Sequence, residues 1–150
     1  LTSSGPKVIE FNCRFGDPEC QALMPLMGKE FASVLFSCAK GELENAPKLT
    51  FKTKRSACIV AASKGYPESP RKGDKINVNI DSNSSLQVFH AGTTVDKSNN
   101  IITSGGRVLS VVAQGESFDE AFYTAYSNLK KIKFDGMHYR EDIGHQVRNK

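Results

Sequence analysis

The residues most suited to chemistry form an alternating run near the start of the chain. Glu10, Asn12 and Arg14 are polar, and the residues on either side of each are apolar, which is typical of a strand with one buried face. Their side chains would then project from the same side of the strand. Mg²⁺ takes carboxylate and amide oxygens as ligands, and a guanidinium binds phosphate or carboxylate in a bidentate manner. The run predicts half of a nucleotide–metal site, although an ordinary solvent-facing strand would carry the same residues.

The next residues predict a sharp turn into a helix. Gly16 permits a tight turn, Asp17 is a good helix N-cap and Pro18 suits the first helical position. Free N–H groups at the start of that helix would face the same region as Arg14. This arrangement favours phosphate binding over a strand that merely faces solvent.

The same residues resemble those of a known family. The run Arg14-Phe15-Gly16-Asp17-Pro18-Glu19, with Glu10-Phe11-Asn12 before it, resembles the glycinamide ribonucleotide synthetase (phosphoribosylamine–glycine ligase) family of ATP-grasp enzymes. The resemblance extends from about Gly5 to Gly144. It continues in the runs Ala62-Ser63-Lys64-Gly65-Tyr66-Pro67, Phe89-His90-Ala91-Gly92-Thr93 and Ser104-Gly105-Gly106-Arg107, and in the closing segment 134–144.

The resemblance implies roles for five residues. Glu10 and Asn12 would be ligands of Mg²⁺ (or Mn²⁺), with ATP as co-substrate, and Arg14 would be a catalytic residue beside the triphosphate. Arg14, Asp17 and Arg107 would bind substrate. The implied enzyme is cytoplasmic and serves de novo purine biosynthesis. It joins glycine to 5-phosphoribosylamine through glycyl phosphate, and gives glycinamide ribonucleotide, ADP and phosphate.

The resemblance also implies that the chain is a fragment of such a ligase. No glycine-rich phosphate loop is present, so we expect the N-terminal remainder of the enzyme to supply the other side of the ATP site. We expect the fragment alone to be inactive. Fused downstream purine-pathway domains are compatible with the resemblance. The alternatives are another ATP-grasp carboxylate–amine ligase and a non-catalytic β-rich binding module, and the RFGDPE run favours the glycine ligase over both.

Apolar periodicity predicts an α+β chain in two parts. Residues 1–43 would form the C-terminal end of an ATP-grasp domain, with the metal-binding strand and helices over 18–26 and 29–43. Residues 47–150 would form a small antiparallel β-rich domain with a covering helix. Its strands are predicted within 49–62 and at 75–80, 86–94, 101–103 and 107–113. Its helix is predicted at 117–132, where Ser117 and Glu120 have the spacing of a capping box.

Composition argues against several other classes of protein. The net charge of +4 comes from scattered Lys and Arg with little aromatic interleaving, which argues against a nucleic-acid-binding protein. The sequence contains no run of about 18 apolar residues, so no membrane span is predicted. The four cysteines form no CxxC pair, so no structural zinc site is predicted. Cys13 and Cys38 fall on apolar faces and are expected in the core.

Two downstream motifs each allow two interpretations. His90 could carry a proton, but a histidine in a strand is more often packed and hydrogen-bonded. Arg107 follows two glycines, which could present an anion nest to a substrate phosphate or simply form a hairpin turn before an exposed arginine. The small residues Ala91 and Gly92 would let the backbone approach another surface closely.

Overall fold

The structure is a computed structural model that describes residues 1–148. The helices are α1 (Glu19–Leu23), α2 (Phe31–Lys40) and α3 (Phe118–Leu129). The strands are β1 (Arg55–Ala62), β2 (Asn77–Val78), β3 (Leu86–His90), β4 (Thr93–Val95), β5 (Ile101–Thr103), β6 (Arg107–Gly115) and β7 (Ile132–Lys133). Every buried residue in the described range lies between Ala57 and Phe134, so the core belongs to the second part of the chain.

The main sheet has the strand order β1-β6-β3, and both of its pairings are antiparallel. Alternate residues of β1 and β6, among them Ile59 and Val111, join the core on one face. Two small antiparallel pairs, β2 with β7 and β4 with β5, complete the strands. The predicted antiparallel β-rich unit is confirmed at this level. The strand predicted over 86–94 is divided in two, because the chain turns at Ala91 and Gly92.

Helix α3 covers the core face of the sheet, as its sequence predicts. Its buried residues lie on one side of the helix: Ala121, Ala125 and Leu129 are four apart, and Phe122 is three before Ala125. Ser117 Oγ accepts a hydrogen bond from the Glu120 amide at 3.2 Å. Glu120 returns the contact to the amide of Glu116, at 2.7 Å. The predicted capping box is therefore present, with its second bond moved back by one residue.

The C-terminal segment is fastened to α3 by a tyrosine. Tyr126 donates a hydrogen bond from its hydroxyl to the carbonyl of Arg140 at 2.9 Å, and the amide of Ile143 donates to the same hydroxyl at 3.2 Å. His138 and Ala62 exchange two backbone hydrogen bonds of 2.8 and 3.0 Å. Segment 138–143 therefore lies beside the last residue of β1.

The strand predicted for the alternating run that holds Glu10, Asn12 and Arg14 is wrong over residues 8–15. The segment has no regular secondary structure, Ile9 is 97% exposed and Phe11 is 84% exposed. Cys13, expected in the core, is exposed as well. Alternation marks the face that a partner would cover, and no described residue pairs with this segment as a strand. Phe15 packs edge-on against Phe31 of α2, with ring centroids 5.9 Å apart.

Helix α2 confirms the predicted helix but not its predicted burial. It ends at Gly41, whose φ of 74° is the left-handed conformation that favours glycine at this position. None of its residues is buried, Phe36 is 66% exposed, and Cys38, also expected in the core, is exposed. Within residues 1–148, the apolar side of α2 is covered only in part, by Phe15 against Phe31.

Helix α1 is shorter than predicted and starts differently. A 3-10 turn over Met24–Leu26 follows it, and Pro18 occupies the N-cap position that was expected for Asp17. The carboxylate of Asp17 accepts a hydrogen bond from Gln21 Nε2 at 3.0 Å instead of capping the helix. Across the described residues, no helix has both the length and the apolar character needed to span a bilayer.

Candidate functional site

Two candidate residues that are 90 positions apart in the sequence are in contact. Arg107 Nη2 lies 2.9 Å from Asp17 Oδ2, and Arg107 Nη1 donates to the main-chain carbonyl of Asp17 at 3.0 Å. The two side chains are 42% and 47% exposed. This ion pair therefore joins the turn before α1 to the first residue of β6 and remains open to solvent.

A β-bulge in β6 determines the direction of the Arg107 side chain. Ala61 pairs with Leu109 and Ala62 pairs with Arg107, so Val108 is an extra residue in the ladder. Without the bulge, alternation would place Arg107 on the same face as Leu109, which belongs to the core under α3. With it, Val108 is buried in that core and Arg107 is directed to the other face, where Asp17 lies.

The turn before Arg107 is held on three sides. Ser63 is completely buried and donates from Oγ to the carbonyl of Gly105 at 3.1 Å. A Cβ added to Gly106 would lie 2.3 Å from the ring of Tyr66, and one added to Gly92 would lie 2.7 Å from the Cα of Gly105. Side chains larger than hydrogen do not fit at these contacts. The close backbone approach expected at Gly92 is confirmed.

The loop that carries Tyr66 is fixed at its far end by Arg71. Arg71 Nε lies 2.8 Å from Asp74 Oδ2, and the same guanidinium pairs with the carboxylate of Asp135. Arg71 holds the pKa of the Asp135 carboxyl below its usual range. The loop is therefore tied both to Asp74, three residues before β2, and to the segment after β7.

Glu10 and Asn12, the candidate metal ligands, lie side by side. Asn12 Nδ2 donates to Glu10 Oε1 at 3.1 Å, and both residues are exposed. The pair offers a carboxylate and an amide oxygen, a donor set that fits a hard cation such as Mg²⁺. No cluster of three or more His, Cys, Asp and Glu suited to a metal ion occurs within residues 1–148.

Arg14 joins neither pair. Its Nη1 donates to the carbonyl of Phe15 at 2.8 Å, and its side chain is exposed. In the part of the chain that the structure describes, no hydrogen bond or ion pair connects Glu10 and Asn12 with Asp17 and Arg107. The five candidates are thus found as two pairs and one separate arginine.

An open cleft of about 550 Å³ begins beside Arg107. Cys58, Val60 and neighbouring residues of β1 line it together with Pro18. Its opposite walls are Tyr66 with Pro67, and the segment from His138 to Ile143. This volume is within the range of sites that hold small molecules.

His90 takes no part in the cleft or in either pair. Its Nδ1 lies 3.2 Å from the hydroxyl of Thr93, and the residue is exposed. It is hydrogen-bonded, as expected of a strand histidine, but it is not packed.

Cys58 lines the cleft as an un-ionised thiol. Burial, opposed by a hydrogen bond with Ser110 and assisted by the nearby negative charges of Asp17 and Glu19, raises the pKa of the Cys58 thiol to about 11. Thiolate is the reactive form, so at pH 8 we expect iodoacetamide to label Cys58 about 100-fold more slowly in the folded protein than in urea. Labelling should accelerate as the pH approaches 11. Peptide mass spectrometry measures both rates, and equal rates would contradict this assignment.

The structure reveals two features that the sequence analysis did not predict. Ser63 lies within the run 62–67 that resembles the family, but the sequence does not indicate that its hydroxyl donates to the carbonyl of Gly105. The bulge at Val108 cannot be recognised in the sequence either, because the apolar residues of β6 continue through it without a break.

Comparison with known protein families and curated sequences gives consistent matches. The family model described as phosphoribosylglycinamide synthetase, C domain, matches residues 56–146. Phosphoribosylamine–glycine ligases from Caldanaerobacter subterraneus and Synechocystis are each 46% identical, over 143 and 142 residues, or 95% and 94% of this chain. A bifunctional purine biosynthetic protein from Schizosaccharomyces pombe is 41% identical over 149 residues, which are 99% of this chain and 19% of that protein.

A solved structure matches as well. The crystal structure of a phosphoribosylamine–glycine ligase from Thermotoga maritima aligns with a TM-score of 0.79 and 30% sequence identity. The alignment covers 95% of this chain and 34% of that one. The chain likewise spans 34% of the length of each of the two bacterial relatives. The mixed α+β fold with antiparallel sheets is therefore shared with part of a larger protein.

Proposed function

Because the chain belongs to the phosphoribosylglycinamide synthetase family, we propose that it is the C-terminal part of a phosphoribosylamine–glycine ligase. The observation that supports this most directly is the contact between Asp17 and Arg107. It unites two motifs that are far apart in sequence and leaves an exposed guanidinium at the edge of a cleft. A paired, accessible arginine in this position is suited to a phosphate-bearing substrate.

The proposed reaction has two steps. The carboxylate of glycine attacks the γ-phosphorus of ATP, which releases ADP and gives glycyl phosphate. The amine of 5-phosphoribosylamine then attacks the glycyl carbonyl carbon, loses a proton and displaces inorganic phosphate. Glu10 and Asn12 would hold a divalent cation, which supplies charge neutralisation for the triphosphate. Arg14 would contribute positive charge beside the transferred group.

Arg107 is proposed to bind the phosphate of 5-phosphoribosylamine. A guanidinium carries five N–H donors; Nη1 of Arg107 donates to the carbonyl of Asp17, and Nη2 forms an ion pair with the Asp17 carboxylate. The remaining donors are available for phosphate oxygens. Asp17 keeps the guanidinium in one orientation, which lowers the entropy lost when the substrate binds.

The first part of the chain is proposed to bind the N-terminal remainder of the same enzyme. No residue before Ala57 is buried, and Val8, Ile9, Phe11 and Phe36 are all more than 60% exposed. Exposed apolar patches of this kind mark interaction surfaces. Residues 1–43 would then be the end of an ATP-grasp domain, residues 47–150 would be the following domain, and the whole would act in the cytoplasm.

Replacing Arg107 with Ala in the full-length ligase tests the proposed function. We expect the apparent KM for 5-phosphoribosylamine to rise about 10- to 100-fold, because hydrogen bonds to a charged group contribute about 1.5–3 kcal/mol. The KM values for ATP and glycine should stay within twofold. Initial-rate kinetics with each substrate varied in turn measures the three constants.

Arg148→Ala is the matched control. Arg148 pairs with Asp119 at 3.3 Å and is 37% exposed, close to the 42% of Arg107, but it lies against α3. It should leave all three KM values unchanged. An unaltered KM for 5-phosphoribosylamine in Arg107→Ala would remove the proposed role of this residue.

A further inference from the structure

We propose that Ser63 is a positioning residue that fixes the orientation of Arg107, an inference that rests on the proposed binding of substrate phosphate by Arg107. Ser63 is completely buried, and it is not among the residues that line the cleft. It can therefore influence a bound substrate only through its neighbours. Its polar groups are directed at the turn that precedes Arg107.

Both donors of Ser63 are used on that turn. The hydroxyl donates to the carbonyl of Gly105 at 3.1 Å and lies 3.4 Å from the carbonyl of Gly106. The amide of Ser63 donates to the carbonyl of Gly106 at 2.9 Å. A buried hydroxyl is costly unless it is hydrogen-bonded, so these contacts define where the turn can sit.

The sheet alone does not define the turn. The regular ladder between β1 and β6 is interrupted at Val108, and Ala62 with Arg107 is the last pair in the register. Ser63 follows Ala62 and extends the attachment past the bulge to the two glycines. On the other side, the amide of Gly92 donates to the carbonyl of Arg107 at 2.9 Å.

The position of the guanidinium depends on the backbone at this point. Arg107 is attached directly to Gly106, and its side chain is long, so a small rotation of the turn moves the guanidinium by more than it moves the backbone. Glycines do not resist such a rotation because they lack a Cβ. Loss of the Ser63 hydroxyl should therefore weaken phosphate binding without changing any group that touches ATP or glycine.

The experiment uses the full-length ligase with Ser63→Ala. We expect the KM for 5-phosphoribosylamine to rise about five- to tenfold, while kcat and the KM values for ATP and glycine stay within twofold. A merely structural role would reduce the amount of active enzyme, and with it kcat, without this selective change. Ser56→Ala is the matched control, because Ser56 lies in β1, the strand that Ser63 directly follows, and its buried hydroxyl has no hydrogen-bond partner among the described residues. It should leave all the constants unchanged.

A double variant separates this inference from the role of Arg107. If Ser63 acts through Arg107, Ser63→Ala combined with Arg107→Ala should have a KM within twofold of that of Arg107→Ala alone. Multiplication of the two single effects would overturn the inference and leave the proposed role of Arg107 intact. The inference also fails if Ser63→Ala has a wild-type KM while Arg107→Ala does not. If Arg107→Ala itself has a wild-type KM, the proposed function of that residue fails first.

A second substitution keeps the test available if the alanine variant does not fold. Ser63→Cys retains a side chain of similar size but has only a weak donor. We expect it to raise the KM for 5-phosphoribosylamine at least threefold, with kcat within twofold of wild type. A folded Ser63→Cys enzyme with a wild-type KM would overturn the inference.

Discussion

Replacing Glu10 with Gln in the full-length ligase should lower kcat about 100- to 1000-fold. The substitution keeps the size of the side chain and an oxygen that can accept from Asn12, which lies 3.1 Å away, but it removes the negative charge. A divalent ion at a triphosphate contributes several kcal/mol of charge stabilisation to phosphoryl transfer, and that energy depends on the ion being held. Steady-state turnover over a Mg²⁺ titration measures the effect, and half-saturation should move to higher Mg²⁺.

Glu44→Gln is the control for this substitution. Glu44 is another exposed glutamate, and it accepts a hydrogen bond from its neighbour Asn45 at 3.4 Å, the one side-chain hydrogen bond that it makes among residues 1–148. The Glu44→Gln variant should have the wild-type kcat and an unchanged dependence of kcat on Mg²⁺ concentration. Wild-type turnover and Mg²⁺ dependence in Glu10→Gln would exclude Glu10 as a metal ligand.

Replacing Leu129 with Ala should lower the free energy of unfolding by about 3 kcal/mol. Leu129 is completely buried in the cluster between α3 and the main sheet, and a leucine truncated in such a core loses its transfer free energy and leaves a cavity. Urea denaturation followed by circular dichroism measures the change. Leu23→Ala, at a position that is 41% exposed on α1, should cost less than about 1 kcal/mol. A similar loss in both variants would mean that the cluster around Leu129 is not the stabilising core.

The sequence predicts both the type and the burial of those elements whose covering surface belongs to the same chain. The stripe from Phe118 to Leu129 needs only a sheet beneath it, and the chain itself supplies β1 and β6, so helix and burial agree. Residues 8–15 carry an equally regular alternation, but no described strand pairs with them, and Phe15 against Phe31 is the one aromatic packing that they make within residues 1–148. Periodicity states which face is to be buried and does not state whether the burying surface is in the same chain.

The candidate site shows the same division. Local runs and a family resemblance point to the five site residues, and Glu10 and Asn12 lie side by side in the structure. The contact between Asp17 and Arg107 spans 90 positions and depends on a bulge. Its position before Pro18 predicts that Asp17 caps α1, because capping preferences consider only residues that are close in sequence. In the structure, the Asp17 carboxylate instead accepts a hydrogen bond from Gln21 and forms an ion pair with the distant Arg107.

The central place of β6 in its sheet has a consequence for how the two halves of the site would bind. Hydrogen-bonded on both edges, β6 presents Arg107 from a pre-organised scaffold, so a phosphate arriving there meets a receptor that is already assembled. The segment with Glu10 and Asn12 donates no backbone hydrogen bond to the rest of the described chain. In the proposed enzyme, the order of that side would therefore have to come from contact with the N-terminal remainder, whereas the side that carries Arg107 is already ordered within this chain.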